Sequence, residues 1–401
     1  MRHEVILAPI PRLRAYSGPA ILSYGFRPFF LFGAIYSSLA ILIWLPMFFG
    51  SIELPIALAP RDWHVHEMLY GYLPAVMTGF LLTAIPNWTG RMPLQGGPLL
   101  VLVTFWLAGR LAVCFSALIG PDLAAVIDVS FLVLVAAVCA REILTGRNWR
   151  NLPVLAVLTV FIMGNAAFHA EYILTGTVDF GIRIGIAAAL ILVMLIGGRI
   201  IPSFTRNWLV RENPGRLPVA FARFDILVLA VSAIALVFWI WSPEALLTGS
   251  ALLTVAALHT TRLARWAGDR TYKDRLVLVL HVAYAFVPLG FLLLAAAAFG
   301  FVAQSAGIHA WTAGAIGMMT LAVMTRASLG HTGRVLVASA FTQTIYAAAF
   351  TAAIMRICAA LEPRWSLILS IVAGLAWTAA FWLFAIEYGP ILCTGRRKSP
   401  A

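Results

Sequence analysis

The chain has 401 residues, of which 62% are hydrophobic and only 11% are charged, and its formal net charge is +12. A soluble domain of this length needs far more charge to cover its surface, so the composition excludes a soluble protein. The basic residues lack the interleaved aromatic residues of a nucleic-acid platform, which argues against nucleic acid as a partner. They are better explained as markers of membrane topology.

Apolar runs of about 20 residues recur from end to end, and each is long enough to cross a lipid bilayer. They predict an all-α, polytopic membrane protein with a cytoplasmic tail at 1–28, a single domain of about twelve transmembrane helices at 29–392 and a basic cytoplasmic tail at 393–401. The predicted spans are 29–49, 63–85, 98–119, 123–144, 152–174, 181–201, 222–241, 245–261, 276–298, 308–325, 335–361 and 366–388.

The distribution of Lys and Arg predicts the orientation of these spans. With both termini inside the cell, 23 of the 28 basic residues fall in cytoplasmic segments and four fall on the opposite side. The remaining one, Arg110, lies within the third span. Because basic residues collect in cytoplasmic loops, this split supports twelve spans with both termini cytoplasmic.

Four histidines are expected near the outer face of the membrane. His64 and His66 open the second span, His309 opens the tenth, and His169 lies near the outer end of the fifth. Histidine in a membrane span is costly, and imidazoles that converge from several helices are a common way to build a metal site. We therefore predict that at least two of the four bind metal.

Three further histidines are expected near the cytoplasmic face. His259 and His281 lie in the eighth and ninth spans, and His331 follows the tenth. They are candidate metal ligands as well, although helix capping or a proton path would explain them equally.

A short internal repeat relates the second span to the tenth. Its elements are His66 with His309, Gly71 with Gly314, and Thr89-Gly90-Arg91 with Thr332-Gly333-Arg334. A parallel repeat would bring two equivalent histidines to one height, as an axial pair on a haem requires. The repeat favours His66 and His309 as that pair, and leaves His64 and His169 for copper or another haem.

Charged residues beside these histidines are candidates for supporting roles. Arg61 and Arg183 lie at the outer level, where they could hold haem propionates or anchor the protein at the interface. Arg110 and Asp128 are predicted to form a buried ion pair, with a proton or propionate role as the alternative. Glu67 could orient an imidazole from outside the metal's ligand shell.

Four long motifs, in order from the second span to the tenth, resemble the NnrS family of membrane proteins. They are Trp63-His64-Val65-His66-Glu67-Met68, Gly79-Phe80-Leu81-Leu82-Thr83-Ala84-Ile85-Pro86-Asn87-Trp88-Thr89-Gly90-Arg91, Gly197-Gly198-Arg199-Ile200-Ile201-Pro202-Ser203-Phe204-Thr205 and Met324-Thr325-Arg326-Ala327-Ser328-Leu329-Gly330-His331-Thr332-Gly333-Arg334. The resemblance implies a multi-pass protein of the bacterial inner membrane that contains haem and copper. It also implies a link to nitric oxide, denitrification and nitrosative stress.

The leading functional hypothesis is a redox protein that binds, senses or detoxifies nitric oxide or a related nitrogen species. The haem should be haem b, because the chain has no CxxCH attachment motif. Catalysis would need an electron donor such as quinol from the lipid bilayer. The alternatives are a membrane transporter, or an assembly factor, for haem, copper or a metal–nitrosyl species.

Overall fold

The computed structural model describes residues 16–396 of the chain. The first 15 residues of the predicted N-terminal tail and the last five residues of the predicted basic C-terminal tail therefore lie outside the described residues. Within the described part, twelve long helices follow one another. Their bounds are α1 Phe26–Phe48, α2 Pro60–Thr89, α3 Gly97–Cys114, α4 Pro121–Thr145, α5 Leu152–Thr175, α6 Phe180–Glu212, α7 Arg223–Trp241, α8 Leu246–Ala264, α9 Arg275–Ala298, α10 Gln304–His331, α11 Ala340–Leu361 and α12 Ser366–Cys393.

Eleven of these helices are long and apolar enough to cross a membrane, judged over residues 16–396. The other is α8, which has 19 residues and lies where the eighth span was predicted. Its apolar character is diluted by threonines and by His259 and Arg262 near its end. The all-α, polytopic fold predicted from the hydrophobic runs is confirmed.

The helix bounds differ from the predicted spans most clearly in α6. The sixth membrane span was predicted to end at 201, after Gly197 and Gly198, but the helix continues to Glu212. A side chain at Gly198 would overlap the guanidinium of Arg262, which donates a hydrogen bond to the Met194 carbonyl at 3.0 Å. The glycine therefore makes room for an arginine from α8 and does not mark a helix break.

The helices form a closed arrangement. Each long helix packs against the next, except that α2 contacts α4 more extensively than α3, and α12 returns to pack along α1. Inside, α2, α6 and α10 contact one another. The most enclosed are α2 and α10, whose apolar segments are 83% and 72% buried. Because α2 and α10 carry His66 and His309, both histidines lie on the two most enclosed helices of the bundle.

The two histidine-bearing helices follow the same course. In α2 a π-helical segment, Glu67–Tyr72, begins directly after His66, and in α10 the π-helical segment Ala310–Gly317 begins directly after His309. Each helix is followed by a glycine of the repeated motif in the left-handed conformation, Gly90 with φ 69° and Gly333 with φ 74°. The backbone thus supports the repeat seen in the sequence. Single π turns in α-helices frequently mark functional sites.

Candidate metal centre

Three buried side chains from three helices converge near the end of the bundle where α2 begins, called the outer end below. The ligand atoms of His66 on α2, Asp128 on α4 and His169 on α5 all lie within 4.8 Å of one another. The two Nε2 atoms are 3.2 Å apart. Asp128 Oδ2 lies 3.3 Å from His66 Nε2 and 3.2 Å from His169 Nε2. Two imidazoles and a carboxylate at such distances make a candidate site for one metal ion.

The orientation of His66 is fixed by the residue that follows it. His66 Nδ1 lies 2.9 Å from Glu67 Oε1. When Nδ1 donates its proton to this carboxylate, the lone pair of Nε2 points into the cluster. The role predicted for Glu67, orienting an imidazole, has the required contact.

Arg110 on α3 holds the two carboxylates of the cluster together. Its guanidinium donates from Nη1 to Glu67 Oε2 and from Nη2 to Asp128 Oδ1, and Tyr36 also donates to Glu67 Oε2. The predicted ion pair between Arg110 and Asp128 is confirmed. A side chain at position 71 would overlap both Arg110 and Glu67. Gly71, the glycine of the repeat, therefore leaves space for the contact between Arg110 and Glu67.

The charges of the cluster favour a cation. With both carboxylates ionised and both imidazoles neutral, Glu67, Asp128 and Arg110 sum to one negative charge. The side chains of Glu67 and Asp128 are 0% and 1% exposed, so water does little to screen that charge. A buried uncompensated charge is expensive, and a bound metal ion or an added proton would balance it.

Asn165 completes the surroundings of Asp128. It lies one helical turn before His169 on α5, and its Nδ2 donates to Asp128 Oδ2 at 2.8 Å. Asn165 and Tyr36 were not predicted from the sequence, and Asp128 was predicted as an ion-pair partner, with a proton or propionate role as the alternative, but not as a metal ligand. The four-residue spacing of Asn165 and His169 was the available signal, because such residues share a helix face. Tyr36 gave no comparable signal.

The second pair of outer histidines lies at a different place. The ring of His64 stacks on Trp44, with centroids 4.1 Å apart, and its Nδ1 is buried without a hydrogen-bond partner among residues 16–396. His309 donates from Nδ1 to the Ser305 carbonyl at 2.6 Å, which leaves Nε2 unprotonated. His64, His309 and Arg356 of α11 interact electrostatically. This group is called the His64–His309 cluster below.

The two arginines proposed for haem propionates lie apart from these contacts. Arg61 is 65% exposed at its side chain and lies 3.4 Å from Asp62 Oδ1. The guanidinium of Arg183 lies over the ring of Phe180, 5.0 Å from its centroid. Arg356, which was not predicted from the sequence, is an arginine that interacts electrostatically with His64 and His309.

The three histidines predicted near the cytoplasmic face each have separate neighbours. His259 lies 2.9 Å from Ser232 Oγ and 3.0 Å from the Tyr284 hydroxyl. His281 lies 2.8 Å from Thr205 Oγ1. The ring of His331 stacks on that of Tyr24, with centroids 5.8 Å apart. Metal binding by these three stays a prediction.

The comparison with protein families agrees with the resemblance seen in the motifs. The family described as NnrS protein matches residues 20–396, nearly the whole chain. The chain belongs to the NnrS family. A comparison with curated proteins found no match. The matched range of this NnrS protein includes all twelve helices and every residue of the cluster around His66.

Proposed function

We propose that this NnrS protein is a metal-containing redox protein of the bacterial inner membrane that acts in the response to nitric oxide. The observation that supports the proposal is the buried cluster of His66, Asp128 and His169. Two imidazoles and a carboxylate, supported by a second carboxylate and an arginine, have no role in packing that would offset their cost in a membrane.

The donor set fits a copper or iron ion. Imidazole nitrogen suits both metals, whereas a site made of carboxylates alone would favour magnesium or calcium. Three protein ligands would leave a coordination position open, which a bound copper or iron ion needs in order to bind an external molecule such as nitric oxide. Glu67 orients His66, and Asn165 and Arg110 orient Asp128.

The cluster around His66 has the size of a single ion. The Nε2 atoms of His66 and His169 are 3.2 Å apart, and the ring of Phe168 packs 5.0 Å from that of His66. We therefore assign copper, or an iron ion outside a porphyrin, to this cluster. Haem b is assigned to the His64–His309 cluster, where each imidazole has a nitrogen without a hydrogen-bond partner among residues 16–396 and Arg356 offers a positive charge for a propionate.

This division differs from the axial pair of His66 and His309 predicted from the repeat. The contacts favour the new division because both ring nitrogens of His66 already face groups of its own cluster. It keeps the earlier expectation that His64 and His66, two residues apart on one helix, serve two neighbouring sites.

The proposal is tested by metal analysis and optical spectra of the purified protein beside single variants. The wild type should contain copper or iron and show a b-haem spectrum. His169→Ala should lose the ion assigned to the His66 cluster and keep the haem, whereas His309→Ala should lose the haem and keep that ion. Thr344→Ala, at an exposed position of α11, is the control and should keep both.

Three outcomes would contradict parts of this account. A wild-type protein without iron or copper would remove the redox function altogether. Loss of the b-haem spectrum in both His66→Ala and His309→Ala would restore the axial pair and reject our division. Uptake of exchangeable metal or haem into liposomes would favour the transporter.

A further inference from the structure

A groove on the surface of the bundle reaches the His66 cluster at one of its residues, His169. It has a volume of about 700 Å³ and lies along α4 and α5, with Phe105 of α3 at its edge. Val126 and Val133 on its walls are 68% and 49% exposed. Apolar side chains exposed on membrane-spanning helices face lipid hydrocarbon. The groove therefore opens into the bilayer.

His169 lies at the inner limit of this groove and connects it to the cluster. Its side chain is 8% exposed, whereas those of His66 and Asp128 are 0% and 1% exposed. Its Nε2 faces His66 and Asp128, and its Nδ1 has no hydrogen-bond partner in the described part of the chain. Among the three candidate ligands, His169 is thus the one reached from outside.

The lining of the groove selects what can pass along it. Its lining is mostly small or apolar and includes Ala166 and Ala170 on α5 and Val129 on α4. The polar exceptions are Asp122, exposed at the start of α4, and Ser130, whose hydroxyl donates to the Ile127 carbonyl of its own helix. Between Asp122 and His169, an ion or a strongly polar molecule would lose its hydration with few hydrogen bonds to replace it. A small uncharged molecule that dissolves in hydrocarbon would meet no such cost.

We infer that this groove is the route by which a small uncharged diatomic molecule such as nitric oxide passes from the bilayer to the metal centre. The inference rests on the proposed function, since it requires a metal ion at the His66 cluster. It adds the route and the physical class of the reactant, and it assigns Ala166, Ala170 and Val129 to the wall that controls entry.

The test narrows and widens the groove and measures the rate of nitric oxide binding to the reduced, metal-loaded protein by stopped flow. Ala166→Phe and Ala170→Phe should lower the association rate constant by about tenfold or more. The dissociation rate constant should fall by the same factor, so the equilibrium affinity should stay unchanged. Val129→Ala should raise both rate constants.

Ala347→Phe is the matched control, because Ala347 is an exposed alanine on α11, far along the chain from the groove. It should bind nitric oxide at the wild-type rate. Metal content, measured for every variant, distinguishes a failure of the entry route from a failure of the proposed function. A wild type without metal would reject the proposed function.

Two results would overturn the inference while leaving the metal centre in place. One is a set of fully metallated groove variants that bind nitric oxide at the wild-type rate. The other is an unchanged nitric oxide rate together with slower reduction of the metal by a quinol, which would make the groove a binding site for the electron donor.

Discussion

The helices α2 and α10 have the same backbone course but different surroundings. Each carries a histidine directly before a π-helical segment, and each histidine can donate its Nδ1 proton to an acceptor near its own helix. His66, however, faces Asp128 and Glu67, whereas His309 lies near His64 and Arg356. The repeated backbone presents an imidazole nitrogen in both places. The neighbouring helices determine which charged side chains surround that nitrogen.

The largest expected difference between the two regions is the loss of stability when the arginine of each is replaced. Arg110→Met leaves Glu67 and Asp128 buried without their cation, which should cost about 3–5 kcal/mol of stability. Arg356→Met is the matched variant, because the guanidinium of Arg356 donates to the neutral Ser370 hydroxyl, at 3.4 Å. It should cost much less.

Thermal unfolding in detergent, monitored by circular dichroism, would compare the two arginine variants. Equal losses of stability would show that the arginine of α3 does not neutralise a charged cluster, and the contrast between the two regions would fail.

The next effect concerns metal affinity and depends on the acceptor of the Nδ1 proton, which is a carboxylate for His66 and a backbone carbonyl for His309. Glu67→Gln keeps the shape of the side chain but removes the negative charge that receives the Nδ1 proton of His66. Partners of this kind typically contribute 10–100-fold to metal affinity, so we expect affinity at the His66 cluster to fall by about that factor. Competition with a chelator of known affinity would measure it, with Glu142→Gln as the control outside the cluster. An unchanged affinity would reject the supporting role of Glu67.

The smallest effect concerns the two glycines of the repeat. A methyl group at Gly71 would meet the side chains of Arg110 and Glu67, and one at Gly314 would meet the ring of Phe286. Overpacking of this kind costs about 1–3 kcal/mol, so both Gly71→Ala and Gly314→Ala should lower the unfolding temperature. Only Gly71→Ala should also weaken metal binding at the His66 cluster. If both variants bind metal like the wild type, Gly71 has a packing role alone.

The fold was largely predictable from the sequence because each membrane span follows from the apolar composition of its own segment. Runs of apolar residues gave the helices, and α8 was located even though its threonines and Arg262 weaken its apolar signal. The predicted sixth span ends at 201, whereas α6 continues to Glu212, because Gly198 accommodates a side chain from another helix and does not end the helix. A single sequence does not reveal such a contact.

The candidate site was predicted in part. Depth along each helix brought His66 and His169 to one level, and charge suggested that Arg110 pairs with Asp128. Depth does not give the direction in which a side chain points around its helix. The sequence therefore did not show whether His66 contacts His169 or His309. Arg356 and Tyr36 were missed because their importance comes only from the helices beside them.

The central claim is that His66, His169 and Asp128 bind one redox metal ion together. X-ray absorption spectroscopy of the purified protein at the copper and iron edges tests it most directly, with His169→Ala as the comparison. The account predicts an ion with two imidazole ligands and one carboxylate oxygen in the wild type, and loss of that ion in the variant. A wild-type spectrum in which the only iron is porphyrin-bound and no copper is present would contradict the claim.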